Sequence, residues 1–129
     1  MRDFRDDTQF TNTIPLSRKS LFIDDQESSH AFLEILDDKG LKSSEYLLTA
    51  DDCKIGRTES CDLQLLINHV SRVHAQVICR DETFILEDLA STNGIFVNGI
   101  QVSRCILKDG DIIEIGEAKI RYAEEKIRL

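Results

Sequence analysis

Apolar and polar residues alternate over short distances along most of this chain, and turn-forming residues interrupt the alternation. In Asp62–Leu65, successive residues are polar and apolar in turn, which is the pattern of a half-buried strand. Asn98-Gly99 separates two apolar triplets and predicts a tight hairpin, because a type I′ turn needs positive φ at both central residues. The chain shows no long amphipathic helical pattern. The pattern therefore predicts an all-β sandwich.

Ten short strands are expected, with turns roughly every 6 to 12 residues. They cover residues 31–36, 45–49, 53–55, 62–65, 74–79, 83–88, 95–97, 100–102, 111–115 and 118–122. The tail Glu124–Leu129 is expected to form a helical turn or a frayed end.

Residues 1–29 differ from the rest of the chain, because Asp, Ser, Thr, Arg and Gln dominate and apolar residues are scattered. This composition predicts a flexible N-terminal arm. One folded domain is expected over residues 30–124, with a C-terminal tail at 125–129. A chain of 129 residues can bury a core without disulfides or metal.

Charge and composition argue against several classes of binding partner. The formal net charge is −8, so the basic footprint of a nucleic-acid-binding protein is missing and attraction to anionic membranes is disfavoured. No apolar run reaches the ~20 residues of a membrane span, and the charged N-terminus does not resemble a signal peptide. We therefore expect a cytoplasmic protein without nucleic-acid or membrane partners.

The four cysteines form no C-x-x-C motif and no Cys/His pair with zinc-ligand spacing. They are expected to be free and mostly buried thiols in a reducing compartment. We expect no metal and no cofactor. A Cys–His hydrolase lacks support, because no nucleophile elbow or carboxylate pair occurs. The chain is therefore expected not to be an enzyme.

Three polar loops stand out between apolar, strand-forming runs: Gly56–Thr58, His69–His74 and Ser91–Gly94. They offer guanidinium, hydroxyl and amide groups, all of which can bind an anion. We expect these loops to meet at one end of the sandwich and bind a phosphate.

In this order and at this spacing, the loops resemble a forkhead-associated (FHA) domain. The residues that carry the resemblance are Gly56-Arg57, Ser71–Ala75, Ser91–Gly99, Leu107, Gly110-Asp111 and Gly116. The resemblance covers roughly Ala31 to Ala123. It implies a sandwich of about eleven strands in two sheets that binds phosphothreonine peptides through loops at one end. The linker Leu66–Val70 is less typical of the family.

The resemblance implies a phosphopeptide-binding role for five residues: Arg57, Ser71, Arg72, Thr92 and Asn93. Arg57 is the main electrostatic candidate, since its planar fork of donors matches phosphate oxygens. Ser71 offers a hydroxyl beside backbone N–H groups. Arg72 lies at the pocket rim, where it adds charge to the phosphate or contacts nearby peptide residues. Thr92 contacts the phosphate or closes the pocket. Asn93 bonds the peptide backbone, although an alternative role is a left-handed turn residue before Gly94.

Four residues are expected to support the site: Gly56, His74, Asn98 and Gly99. Gly56 allows close backbone packing or a special φ/ψ. His74 orders the binding loop from a buried position rather than acting in catalysis. Asn98 and Gly99 form a turn, in which Asn98 could also touch the peptide.

These features predict a phosphothreonine-peptide binding module in Ser/Thr-kinase signalling, whose partner is the kinase or one of its substrates. Two alternatives stay open. The arm contains Thr8, Thr11 and Thr13, and Ile14 lies three residues after Thr11, so a phosphorylated arm could occupy its own domain. The sandwich could also act as a phosphate-independent scaffold.

Overall fold

The computed structural model describes residues 27–128, and within that range the chain forms eleven strands in two sheets without a helix. The predicted all-β sandwich is therefore confirmed. The strands are β1 (Glu27–Leu36), β2 (Lys42–Leu48), β3 (Cys53–Gly56), β4 (Leu63–Gln64), β5 (Ala75–Arg80), β6 (Thr83–Asp88), β7 (Ile95–Val97), β8 (Ile100–Val102), β9 (Arg104–Ile106), β10 (Ile112–Ile115) and β11 (Ala118–Arg128). Thr8, Thr11 and Thr13 lie outside the described residues.

Three differences from the predicted elements stand out. Strand β9 was missed, because its three residues carry no alternating pattern and it pairs only with β6 at a sheet edge. Residues 124–128 continue β11, so the predicted helical turn or frayed end is wrong for them. The first strand also starts at Glu27, within the predicted arm.

The six-stranded sheet has the order β2-β1-β11-β10-β7-β8, and the five-stranded sheet has the order β4-β3-β5-β6-β9. Neighbouring strands pair antiparallel in most cases, whereas β3 and β4 are parallel. The Asn98-Gly99 hairpin is confirmed: it joins β7 to β8, with φ of 52° at Asn98 and 84° at Gly99.

The core lies between the two sheets. Alternate residues of the central strands point inward, and Leu33, Ile55, Leu86 and Ile115 are fully buried. Burying a side chain of this size contributes about 1.5–3 kcal/mol. Residues of β3, β5, β6 and β7 pack in this core, and the three polar loops extend from these strands.

All four cysteines are free: Cys53 and Cys61 are buried, while Cys79 and Cys105 are half-buried. Burial raises the pKa of the Cys53 thiol to about 11, because a thiolate is poorly solvated in the core. Within residues 27–128, no helix has the length and apolar character needed to cross a membrane.

Candidate functional site

The three polar loops meet at one end of the sandwich and surround an open depression of about 550 Å³. The loops follow β3, precede β5 and join β6 to β7. The residues that line the depression are Arg57, Thr58, Ser60, Ser71, Arg72, Val73, Ala90 and Thr92. The lining residues therefore come from all three loops and from positions next to them.

Arg57 follows the last residue of β3 and is fixed from two directions. Its backbone N–H donates to the carbonyl oxygen of Ser71 over 3.0 Å. Its side-chain Nε–H donates to the carbonyl oxygen of Val70 over 3.1 Å. The second bond orients the guanidinium group but uses only one of its five N–H donors. The terminal fork, on an exposed side chain, has no partner among residues 27–128 and is available to a ligand.

Arg72 is held by its backbone carbonyl. That oxygen accepts hydrogen bonds from the N–H of Thr58 at 3.2 Å, the hydroxyl of Thr58 at 3.2 Å and the thiol of Cys61 at 3.4 Å. Gly56 packs so close that a β-carbon there would collide with the carbonyl group of Arg72. The first and second loops therefore pack backbone against backbone, with the Arg72 side chain exposed at the rim.

His74 is fully buried and connects the second and third loops. Its Nδ1 accepts a hydrogen bond from the backbone N–H of Ser71 at 2.9 Å. The proton is therefore on Nε2, which donates to the carbonyl oxygen of Gly94 at 2.8 Å. The backbone N–H of His74 donates to Ile55 in β3 at 2.8 Å. Both ring nitrogens are thus committed to holding the loops together.

Ser71 and Thr92 join the same two loops nearer the surface. The backbone N–H of Thr92 donates to Oγ of Ser71 at 3.2 Å. A hydroxyl that accepts in this way keeps its own proton for a further bond. The Ser71 hydroxyl can therefore donate to an anion in the depression.

Side-chain hydrogen bonds hold the third loop in place. The Ser91 hydroxyl donates to Asp88 at 2.5 Å and accepts from the N–H of Gly94 at 2.8 Å. The Asn93 side-chain amide donates from Nδ2 to the carbonyl oxygen of His69 at 3.1 Å. Asn93 is not left-handed, whereas Ala90 has φ of 55° and Gly94 has φ of 80°. The alternative interpretation of Asn93 as a left-handed turn residue is therefore wrong.

Four of the five predicted binding residues, Arg57, Ser71, Arg72 and Thr92, line the depression together. Asn93 lies beside it, next to Thr92 and bonded to the second loop.

Asn98 serves a different part of the fold. Its Oδ1 accepts from the N–H of Ile112 at 2.9 Å, and its Nδ2 donates to Asp111 at 3.0 Å. Asn98 and Gly99 thus support the β7–β8 turn and the start of β10, and neither lines the depression.

Sequence reasoning did not assign four of the lining residues, namely Thr58, Ser60, Val73 and Ala90. Thr58 could have been found, because it follows Gly56-Arg57 in the first polar loop. Val73 offered a weaker signal, because it is an apolar residue within a polar loop. In the structure, Val73 is 38% exposed. Ser60 and Ala90 carry no local signal, since the packing of distant loops brings them to the depression.

The lining of the depression is cationic although the chain is acidic overall. It contains the guanidinium groups of Arg57 and Arg72 and four hydroxyls, and none of its residues is Asp or Glu. The two arginines act on a bound group at short range. Salt largely screens its interaction with acidic groups that lie farther away than about 8–10 Å. Guanidinium and hydroxyl donors around one concave surface can bind a tetrahedral oxyanion.

Comparison with known proteins gives the same family from two directions. A family model described as the FHA domain matches residues 53–116. Mouse (Mus musculus) proliferation marker protein Ki-67 is 30% identical over 98 residues, which is 75% of this chain but 3% of Ki-67. The chain thus spans only a small part of this curated relative.

Two solved structures have closely similar folds. One, from a structural and functional analysis of phosphothreonine-dependent FHA domain interactions, has a TM-score of 0.67 and 32% identity, and the match covers 73% of this chain and 95% of that one. The other is the FhaA FHA domain complexed with the intracellular domain of Rv3910. It has a TM-score of 0.65 and 33% identity over 71% of this chain and 98% of that one.

Proposed function

Because this chain belongs to the forkhead-associated (FHA) domain family, we propose that it binds phosphothreonine-containing peptides in the depression between its three loops. One observation carries the proposal. Arg57 is oriented through its backbone and Nε, while its terminal fork makes no hydrogen bond to any of residues 27–128. Among the same residues, the lining of the depression contains a second arginine and no acidic residue.

The phosphate would take its hydrogen bonds from both sides of the depression. The fork of Arg57 donates two parallel bonds, which match a pair of phosphate oxygens. The Ser71 hydroxyl, held by the N–H of Thr92, donates to a third oxygen. Arg72 and the Thr92 hydroxyl complete the rim. Arg57 Nε and the Ser71 hydroxyl are already held by internal hydrogen bonds, which lowers the entropic cost of ordering these two side chains on binding.

Asn93 would hold the peptide backbone beside the phosphate. One N–H of its amide is bonded to His69, so the other N–H and Oδ1 are the groups directed to a ligand. An amide can donate to a peptide carbonyl and accept from a peptide N–H at once. Asn93 would therefore fix an extended peptide without selecting its side chains.

The proposal is one of recognition, without a chemical step. His74 uses both ring nitrogens in hydrogen bonds inside the protein, so it has no nitrogen left to take a proton from a substrate. The Cys61 thiol donates to the Arg72 carbonyl and is buried. The partner is a phosphothreonine-containing protein, either a Ser/Thr kinase or one of its substrates.

The test is binding of an oriented phosphothreonine peptide library to the full chain, to the Arg57→Ala variant and to the Arg80→Ala variant. Arg80 is an exposed arginine at the end of β5, so both variants lose the same charge. We expect Arg57→Ala to weaken binding by about 10- to 150-fold, as for loss of a charge-assisted hydrogen bond. Equal binding by both variants at equal thermal stability would contradict the proposal.

Two further possibilities are distinguished by the same reagents. The threonine at position 11 is followed three residues later by Ile14, so an arm phosphorylated at Thr8, Thr11 or Thr13 could compete with external peptides at high effective concentration. This predicts lower peptide affinity after arm phosphorylation, restored by replacing the three threonines with valine. A partner bound equally well by Arg57→Ala would instead indicate a phosphate-independent scaffold.

A further inference from the structure

The turn between β10 and β11 lies outside the depression but holds one of its loops. The backbone N–H of Glu117 donates to the carbonyl oxygen of Asn68 at 3.0 Å. The Glu117 carboxylate accepts from Nδ1 of His69 at 2.9 Å. The preceding residue, Gly116, packs against the same two residues of the loop. The turn of residues 116–117 therefore contacts the loop through both its backbone and the Glu117 side chain.

The space beside Gly116 is too small for any other residue. A β-carbon there would lie 2.6 Å from the carbonyl carbon and oxygen of His69 and 2.8 Å from the carbonyl oxygen of Asn68. These are backbone atoms, so they cannot swing away as a flexible side chain would. A larger residue at position 116 must push the loop itself.

His69 adopts an uncommon backbone conformation at the point where this turn contacts it. Its φ is 69°, a left-handed value that is unfavourable for a residue with a β-carbon. Its carbonyl oxygen accepts the hydrogen bond from Nδ2 of Asn93 at 3.1 Å. A chain of direct contacts therefore runs from the 116–117 turn through His69 to Asn93.

We propose that the 116–117 turn is a positioning element for the ligand-binding face, and that it acts by fixing His69 and thereby orienting the Asn93 amide. The inference rests on the proposed function, in which Asn93 bonds the peptide backbone. If the His69 carbonyl moves, the Asn93 amide loses the bond that sets its rotation. Its remaining N–H and Oδ1 then no longer face the peptide in a fixed direction.

The first test compares Gly116→Ala with Gly110→Ala. Both glycines have positive φ, 57° and 93°, but a β-carbon at Gly110 would meet no atom within 4 Å. The two variants therefore share backbone strain, and only Gly116→Ala pushes the loop. We expect Gly116→Ala to weaken binding of a library-selected phosphothreonine peptide at least about fivefold, and Gly110→Ala to change it less than about twofold.

A double-mutant cycle separates positioning from general damage. If Gly116 acts through Asn93, Gly116→Ala should weaken binding much less in an Asn93→Ala background, because the group it positions is already gone. Full additivity of the two effects would overturn the inference. The Asn93 side-chain amide resonances provide a readout without ligand: they should shift in Gly116→Ala and stay in place in Gly110→Ala.

The side-chain contact is tested with Glu117→Ala and Glu117→Gln, because glutamine keeps an oxygen that can accept from His69. Glu82→Ala, at an exposed turn elsewhere, controls for the lost charge. We expect a two- to fivefold loss of affinity in Glu117→Ala, about the size of an exposed pair, and recovery in Glu117→Gln.

Failure of the positioning role and failure of the proposed function give different results in these experiments. An unaltered chain that binds no phosphothreonine peptide contradicts the proposed function, while the Asn93 resonances still test the positioning role. An unaltered chain that binds, together with unmoved resonances in Gly116→Ala, overturns the positioning role alone.

Discussion

The backbone N–H of Thr92 donates a hydrogen bond to the side-chain oxygen of Ser71 over 3.2 Å. This bond joins two loops that lie 21 residues apart in the chain. It also favours the Ser71 hydroxyl as a donor, because one of its two lone pairs already accepts the bond from Thr92 while its own proton remains available. The same contact therefore stabilises the loop arrangement and leaves the Ser71 hydroxyl proton available to a ligand.

Ser71→Ala is expected to separate these two roles. Removing the hydroxyl costs one internal hydrogen bond, or about 1 kcal/mol of the free energy of unfolding. It also removes a donor to the charged phosphate, for which we expect a loss of affinity of about tenfold or more. Denaturant titration and fluorescence anisotropy with a phosphothreonine peptide measure the two effects. Ser44→Ala, on the exposed part of β2, is the control, and an equal affinity in both variants would exclude Ser71 as a ligand.

His74→Ala is expected to destabilise the fold. The substitution leaves the partly buried N–H of Ser71 and the partly buried carbonyl of Gly94 without their partner and opens a cavity where the buried ring was. Together these effects should lower the free energy of unfolding by about 3 kcal/mol or more. Chemical denaturation measures the change. His30→Ala, at a half-buried position on β1, should cost clearly less, and an equal cost would contradict the linking role of His74.

Gly56→Ala tests the close packing of the first and second loops. The new methyl group would collide with the carbonyl group of Arg72, so the second loop must shift. We expect a loss of about 1–3 kcal/mol from overpacking and at least about tenfold weaker peptide binding. In Gly40→Ala a β-carbon would meet no atom within 4 Å, so the peptide affinity should not change. Unchanged affinity in Gly56→Ala would show that the loop shift does not reach the depression.

The buried thiol of Cys53 gives a prediction for alkaline pH. Its pKa is raised from 9.0 to about 11 in the folded chain, so between these values the folded state holds a proton that the unfolded state releases. The unfolded state then binds fewer protons, and stability falls as pH rises from about 9 to about 11. The burial of Tyr122 raises its pKa too and acts in the same direction.

Comparing the unaltered chain with Cys53→Ala isolates the contribution of Cys53 together with its effect on the pKa of Tyr46, because Tyr122 is present in both. We expect the stability difference between them to be constant below pH 9 and to shrink above it. A difference that stays constant through pH 10.5 would show that Cys53 does not contribute. Native Cys53 should also react slowly with iodoacetamide at pH 8, because the thiolate is the reactive form.

Local sequence patterns were sufficient for most of the fold. Alternation of apolar and polar residues, together with turns such as Asn98-Gly99, placed ten of the eleven strands, because a strand with one buried face imposes a two-residue period on its own sequence. The same reasoning failed where that period is absent. Strand β9 and the end of β11 are defined by their neighbours in the sheets rather than by their own pattern.

The chemical groups of the depression were also visible locally, since Arg57, Ser71, Arg72 and Thr92 stand in polar loops between apolar runs. Their arrangement depends on contacts between distant segments. His69 and Glu117 are 48 residues apart, yet they bond directly because two loops leave the sandwich at adjacent points. No periodicity encodes such a contact, so the contacts of the 116–117 turn with the second loop and the position of Asn98 outside the depression follow only from how the sheets pack.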